Sequence, residues 1–218
     1  MLGRPLRFRF STGMMSRVHG ADVCSILSGG RFLFRQDGVE LVGGFLFTLV
    51  SCQCCKGNLL RVLFVCTGNT CRSPMAEAVF RKMISDRVGC AENELRRHGY
   101  DILSAGIAAA DSFPASQDAV ELLARQGIDL SDHLSRQVTS EMLSECDHVY
   151  AMTNSHLRVL QDARPDLTGR MHLVAQDGQD ISDPIGGGTD VYRDCADQLT
   201  EAIQQIVDGL IRKDDTRI

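Results

Sequence analysis

The stretch Leu59-Leu60-Arg61-Val62-Leu63-Phe64-Val65-Cys66-Thr67-Gly68-Asn69-Thr70-Cys71-Arg72-Ser73-Pro74-Met75-Ala76-Glu77-Ala78 places an apolar run, a short polar loop and a helix start in direct succession. The apolar run has the length and composition of a buried strand. Pro74 suits the first position of a helix, where its missing N–H has no intrahelical partner to lose. A strand that passes at once into a helix turns the loop amides and the first helical amides toward one point, which suits a tetrahedral oxyanion. Gly68 and Asn69 tolerate the backbone angles that such a loop needs. Arg72 adds a forked cation that can hold two oxygens at once. Cys66, at the strand end, lies in the resulting positive field, which favours a thiolate and so a nucleophile.

The expected anion cradle is therefore Thr67, Gly68, Asn69, Thr70, Cys71, Arg72 and Ser73, with Cys66 as the nucleophile. A lone cysteine at a strand end is more often a buried apolar residue. Here Arg-Ser-Pro follows six residues later, and that pairing carries the catalytic reading. Ser73 has two candidate jobs, as the cap of the following helix or as a donor to the Cys66 thiolate; both stay open.

Downstream the pattern is regular. Strand-like runs at 61–65, 101–105, 148–152 and 171–174 alternate with helical stretches at 74–88, 116–126, 140–145, 155–163 and 190–211. In the last of these, Tyr192, Cys195, Leu199, Ala202, Ile203, Ile206 and Leu210 fall on one face at helical steps. Such alternation predicts an α/β fold of three layers, a parallel sheet with helices on both faces. Ligands of these sheets bind at the carboxyl ends of strands, where the Cys66 loop lies.

Composition narrows the partners. Residues 1–58 carry seven Lys/Arg and three Asp/Glu, whereas residues 59–218 carry sixteen and twenty-five. A domain that acidic is a poor binder of nucleic acid, whose phosphates need basic surface. Nine cysteines in irregular spacing make no disulfide framework, and a working thiolate needs a reducing compartment, so a cytoplasmic location is expected. Cys90, Cys146 and Cys195 read as buried apolar residues.

Residues 1–58 look foreign to the rest and are expected to form a poorly ordered extension to a domain spanning 59–218. The apolar run 41–50 is too short to span a bilayer. Leu49-Val50-Ser51-Cys52 resembles a lipoprotein cleavage box, but its position in the chain and Asp37 and Glu40 before it argue against export. Cys52, Cys54 and Cys55 lack a second ligand pair, so no zinc site is expected.

Chemistry through a phosphorylated cysteine needs an acid for the leaving atom and later a base for water. The best candidate is Asp183 in Ile181-Ser182-Asp183-Pro184-Ile185-Gly186-Gly187-Gly188, stiffened by proline on one side and freed by glycines on the other. Taken alone, an Asp before Pro reads as a turn residue; beside the Cys66 loop it reads as the acid. Asp190 reads as the cap of the final helix.

The segment from Val65 to Glu77, with Ser104-Ala105-Gly106, Ala151-Met152-Thr153 and Asp183-Pro184 downstream, resembles the low-molecular-weight protein tyrosine phosphatases over residues 59–218. The resemblance implies a four-stranded parallel sheet and hydrolysis of phosphorylated protein side chains without a metal or other cofactor. It also implies a phosphocysteine on Cys66, phosphate held by Arg72 and the loop amides, and Asp183 as acid and then base. Tyrosine-directed members usually have an aliphatic residue in place of Thr70 and aromatic residues after Asp-Pro, where this chain has Ile185-Gly186-Gly187. Thr70 and that apolar-Gly-Gly arrangement look like the bacterial protein-arginine phosphatase branch. Phosphoarginine is therefore favoured over phosphotyrosine, with Thr70 narrowing the pocket, Ile185 offering no ring, and Asp183 pairing with the guanidinium charge. The alternative is that Thr70 merely fills space.

Cys71 lies close enough in sequence to Cys66 for a disulfide if the side chains face each other; in the family this pairing protects the nucleophile. Arsenate reduction needs a further cysteine pair downstream, and only Cys146 stands near that region. A non-enzymatic phosphate-binding module is opposed by the intact Cys66, Arg72 and Asp183. His98, His133, His148, His156 and His172 show no ligand spacing and receive no chemistry. Arg96-Arg97 reads as a solvated helix end, and a monomer is the default assembly.

Overall fold

The computed structural model describes residues 33–36 and 39–42 as backbone, and residues 59–214, with side chains through 210. The chain divides into two compact units, Met1–Gly57 and Asn58–Ile218. In the first, β1 (Leu33–Gln36) pairs antiparallel with β2 (Val39–Val42), Leu33 opposite Val42 and Gln36 opposite Val39. Sequence analysis places no element there; Asp37-Gly38 between the two strands is the pair that signals a hairpin. The Cys52 box and the Cys52, Cys54 and Cys55 cluster lie outside the described residues.

The second unit is built on a four-stranded parallel sheet in the order β4-β3-β5-β6. Its strands are β3 (Leu60–Cys66), β4 (Tyr100–Gly106), β5 (His148–Ala151) and β6 (Met171–Leu173). β3 explains the layering. Its side chains alternate between faces, so Val62, Phe64 and Cys66 join one buried cluster while Leu63 and Val65 join the other. A strand buried on both sides reads as one continuous apolar run, which is what 59–65 presents.

The larger cluster is closed by α1 (Arg72–Val88), α2 (Gln117–Ala124) and α5 (Thr189–Asp214); the smaller by α3 (Ser140–Glu145) and α4 (Asn154–Ala163). Phe64 packs edge-on against Phe80 at 5.4 Å and stacks on Tyr150 at 5.7 Å. Burial of each such side chain stabilises the fold by roughly 1.5–3 kcal/mol. The seven apolar positions read from the last helix are all buried. α1 ends where Gly89 takes φ +75° and donates to Ser85 O, a left-handed cap that a side chain would strain.

Two expectations at helix starts are corrected. α1 begins at Arg72, one residue before Ser73, and Cys71 holds the cap position without a side-chain hydrogen bond. Ser73 is thus already inside the helix and its hydroxyl is used elsewhere. Asp190 likewise lies within the first turn of α5 and pairs with Arg193 at 2.8 Å, a favourable place for an anion near a helix N-terminus. No helix of the described residues is long and apolar enough to cross a membrane.

β3 comes first in this unit yet lies inside the sheet, with β4 on one side and β5 on the other. Successive crossovers therefore leave β3 toward opposite edges, and the crevice at its carboxyl end is where such sheets place ligands.

Candidate active site

Cys66 ends β3 and is 3% exposed, its Sγ 2.9 Å from Ser73 Oγ and accepting from Asn69 N at 3.2 Å. The direction of the serine bond follows from its neighbours. Arg136 N donates to Asn69 Oδ1 at 3.0 Å, which turns Asn69 Nδ2 to donate to Ser104 Oγ and Ser73 Oγ, both at 2.9 Å. Ser104 in turn donates to Glu77 Oε2 at 2.7 Å. Ser73 thus accepts from Asn69 and keeps its own proton for Cys66 or for Ala105 O, 3.3 Å away. Cys66 Sγ, at 2.9 Å, is the nearer of the two acceptors.

Asn69 is fully buried at φ +55°. The left-handed conformation costs about 1 kcal/mol for a residue other than glycine, and hydrogen bonds worth about 1 kcal/mol each offset it. His133 Nε2 donates a further one to Asn69 O at 2.8 Å. The loop is also fastened to its neighbours through the main chain. Ile107 N donates to Cys66 O at 2.9 Å, Ala108 N to Thr67 O at 3.0 Å, and Ser116 N to Thr70 O at 2.8 Å. Gly106 is required for this approach: a Cβ there would stand 2.4 Å from Thr67 O and 3.0 Å from Asn69 N.

Arg72, 5% exposed, donates from Nη1 to Ile181 O at 3.2 Å and from Nη2 to Asp183 Oδ2. Asp183 Oδ1 accepts from Ile185 N at 3.2 Å. The segment turns at Gly186, φ +77°, where Gly187 N donates to Pro184 O, and this leaves Ile185 69% exposed. The structure therefore pairs Arg72 with Asp183, while Cys66 at the other end of the same loop is held by Ser73 and Asn69.

Cys66 and Cys71 are both free and buried, but their thiols have different partners. Cys71 Sγ lies 3.4 Å from Tyr192 Oη and 3.7 Å from Thr70 Oγ1. Burial, and then the contact with Cys71, pushes the Tyr192 phenol up to about 12. Cys146 sits in the cluster on the other face from Cys66, its thiol pushed up to about 11 by burial. A neutral, buried thiol across the sheet is no electron relay, which removes support from arsenate reduction.

Sequence reasoning missed several residues that hold the loop. His133 and His156 were given no role, yet both reach it, His156 through Nε2 to Thr67 Oγ1 at 2.8 Å. Ser104, Glu77, Arg136 and Tyr192 complete the support. No spacing rule finds their roles: Ser104, Arg136 and Tyr192 are far from the loop in sequence, and Glu77, four residues after Ser73, reaches it only through Ser104. Burial, and then the charge of Arg72, lower the His156 pKa from 6.5, which favours the neutral ring.

A sulfur nucleophile beneath an amide cradle, with a carboxyl group leaning on the cradle's cation, is the equipment of phosphatases that work through cysteine. The chain is one of these: residues 61–216 match the family described as low molecular weight phosphotyrosine protein phosphatase, and the protein belongs to that family. It is 37% identical over 153 residues to a protein-arginine-phosphatase of Bacillus subtilis, covering 68% of this chain and 95% of that one. Among solved structures, a low molecular weight protein tyrosine phosphatase from T. tengcongensis is 38% identical with a TM-score of 0.62, covering 69% of this chain and 99% of that chain. A YwlE arginine phosphatase mutant with a phosphorylated active-site serine is 34% identical with a TM-score of 0.61, covering 69% of this chain and 95% of that chain.

Proposed function

We propose that residues 59–218 form a protein-arginine phosphatase domain that acts in the cytoplasm as a monomer, with residues 1–58 as an appendage. Cys66 Sγ attacks phosphorus in line; the S–P bond forms as the P–N bond breaks, and Asp183 gives its proton to the leaving guanidine nitrogen. Asp183 then takes a proton from the water that attacks phosphorus, the S–P bond breaks, and inorganic phosphate leaves. Arg72 has five N–H donors, of which Ile181 O and Asp183 take two. In this reading the others, with loop amides of residues 67–73 other than Asn69 N, hold the phosphate oxygens and stabilise the charge that builds on them. The cytoplasmic assignment rests on the need for a reduced Cys66.

Thr70 carries the choice of phosphoarginine. It is half-buried in the cradle, where tyrosine-directed relatives usually place an aliphatic residue, and the exposed Ile185 puts no ring after Asp183-Pro184. A polar wall suits a guanidinium better than a phenyl ring. The likeness to the Bacillus subtilis protein-arginine-phosphatase supports the same choice. The test is kcat/KM on phosphoarginine and phosphotyrosine peptides for wild type and Thr70→Ile. Wild type is expected to prefer phosphoarginine, and the variant to shift toward phosphotyrosine. Preference for the phenolic ester in wild type, unchanged by the substitution, rejects the assignment.

A further inference from the structure

A substrate guanidinium is a pure donor: every nitrogen carries hydrogen and none offers a lone pair. Something in the pocket beyond the phosphate cradle must therefore accept from it, because an unanswered N–H in a closed site is costly. Asp183 is one acceptor, its Oδ2 already holding Arg72 and its Oδ1 holding Ile185 N, with one lone pair left on each oxygen. The next acidic residue on this rim, Asp180, is held to α4 through one oxygen, Oδ1 accepting from Asn154 N at 2.7 Å and Asn154 Nδ2 at 2.9 Å.

A third polar side chain beside the nucleophile is Thr67. It follows Cys66 directly, and unlike the buried Cys66, Asn69, Cys71, Arg72 and Ser73 it is exposed. Its main chain is fixed, since Thr67 O accepts from Ala108 N. Its hydroxyl is fixed too, by His156 Nε2 at 2.8 Å, and His156 Nδ1 is held in turn by Thr153 Oγ1 at 2.9 Å. Thr153 caps α4, accepting from His156 N at 3.2 Å, so the imidazole is anchored at both ends. The charged groups that act on this ring are Arg72, Asp183 and Asp180, which places the pair at the corner of the site occupied by the acid.

We propose that Thr67, oriented by His156, is a specificity residue that accepts a hydrogen bond from the guanidinium of phosphoarginine. When His156 carries its proton on Nδ1 and donates to Thr153, Nε2 accepts the Thr67 hydroxyl proton. Both Thr67 lone pairs are then left to accept. A phosphotyrosine ring has no N–H to offer at that position, so the contact discriminates between the two substrates. His156 acts only through Thr67 and is a positioning residue. This inference rests on the phosphoarginine reading given above and adds a second determinant to Thr70.

The test compares full-length wild type, Thr67→Val, Thr67→Ser and His156→Phe on phosphoarginine and phosphotyrosine peptides of one sequence. The readout is the ratio of the two kcat/KM values, so a general loss from loop distortion cancels. Thr67→Val is expected to lower the phosphoarginine-to-phosphotyrosine ratio by about tenfold or more. Thr67→Ser should restore it, and His156→Phe should lower it in the same direction. An unchanged ratio in Thr67→Val, or a ratio that Thr67→Ser does not restore, overturns the inference. Should either Val or Phe variant fail to fold, the other variant and Thr67→Ser decide the matter. Wild type that leaves phosphoarginine untouched refutes the substrate assignment itself, which is a separate result from an active wild type whose ratio ignores Thr67.

Discussion

Ser73 Oγ stands 2.9 Å from Cys66 Sγ, and its proton is available to the sulfur because Asn69 already fills its acceptor role. That proton stabilises the thiolate both before attack and when sulfur leaves phosphorus in the second step. A hydrogen bond to a charged group contributes about 1.5–3 kcal/mol. Ser73→Ala is therefore expected to lower kcat about ten- to hundredfold. Rapid-quench kinetics should show the slow step moving to breakdown of the phosphocysteine; a kcat equal to wild type contradicts the arrangement.

Gly106 admits the loop to the sheet. In Gly106→Ala the new methyl group meets Thr67 O at 2.4 Å, a main-chain atom that a rotamer change cannot move. The loop must shift, and overpacking of this kind costs about 1–3 kcal/mol. The expectation is a lowered melting temperature together with a loss of kcat/KM greater than the loss of stability explains.

Asp183→Asn removes both the proposed acid and the anionic partner of a buried Arg72. Loss of general acid catalysis is worth about 10²- to 10⁴-fold. The fall in kcat should be greatest on substrates with poor leaving groups and much smaller on p-nitrophenyl phosphate. Equal losses on both would assign Asp183 a structural role alone.

Peroxide converts the Cys66 thiolate to a sulfenic acid; attack by the Cys71 thiol expels water and forms a disulfide. Wild type is expected to recover fully with a thiol reductant and Cys71→Ser to lose activity for good. Cys71 must leave Tyr192 to reach Cys66, so Tyr192→Phe should speed disulfide formation. Irreversible loss in wild type, unaffected by Cys71→Ser, rejects the pairing.

His156 ties stability to pH. Its pKa lies below 6.5 in the folded chain, through burial and the charge of Arg72. The unfolded chain then binds the proton more readily, so this contribution is full above the ordinary histidine value and is lost as pH falls through about 6.5 toward the folded value. Melting temperature should drop over that window more steeply in wild type than in His156→Gln. Parallel curves would show that the imidazole is not the group responsible.

How much could be read in advance follows the range of the forces involved. β3, the loop and α1 are continuous in the chain, and apolar runs, Pro74, Gly68 and Asn69 express preferences that act over a few residues. The four parallel strands and the five α-helices of residues 59–214 follow the same way, with ends displaced by up to three residues. The hairpin at Leu33–Val42 escaped because its strands are short and only Asp37-Gly38 between them marks it. Ser73 was ambiguous for a related reason: a serine at a helix start satisfies a capping pattern wherever its hydroxyl points.

Sequence alone, then, determined the α/β framework and named the residues proposed as nucleophile and anion cradle, because these readings rest on neighbouring residues. Only the folded chain decided what holds the cradle in place. Asn69 meets Ser104, His133 and Arg136, Cys71 meets Tyr192, and Thr67 meets His156. Those contacts join strands and helices dozens of residues apart, and they exist because crossovers bring the ends of β3, β4 and β5 to one edge in register. Hydrogen bonds of that kind depend on ångström-scale placement of whole elements, which no local preference of the chain encodes.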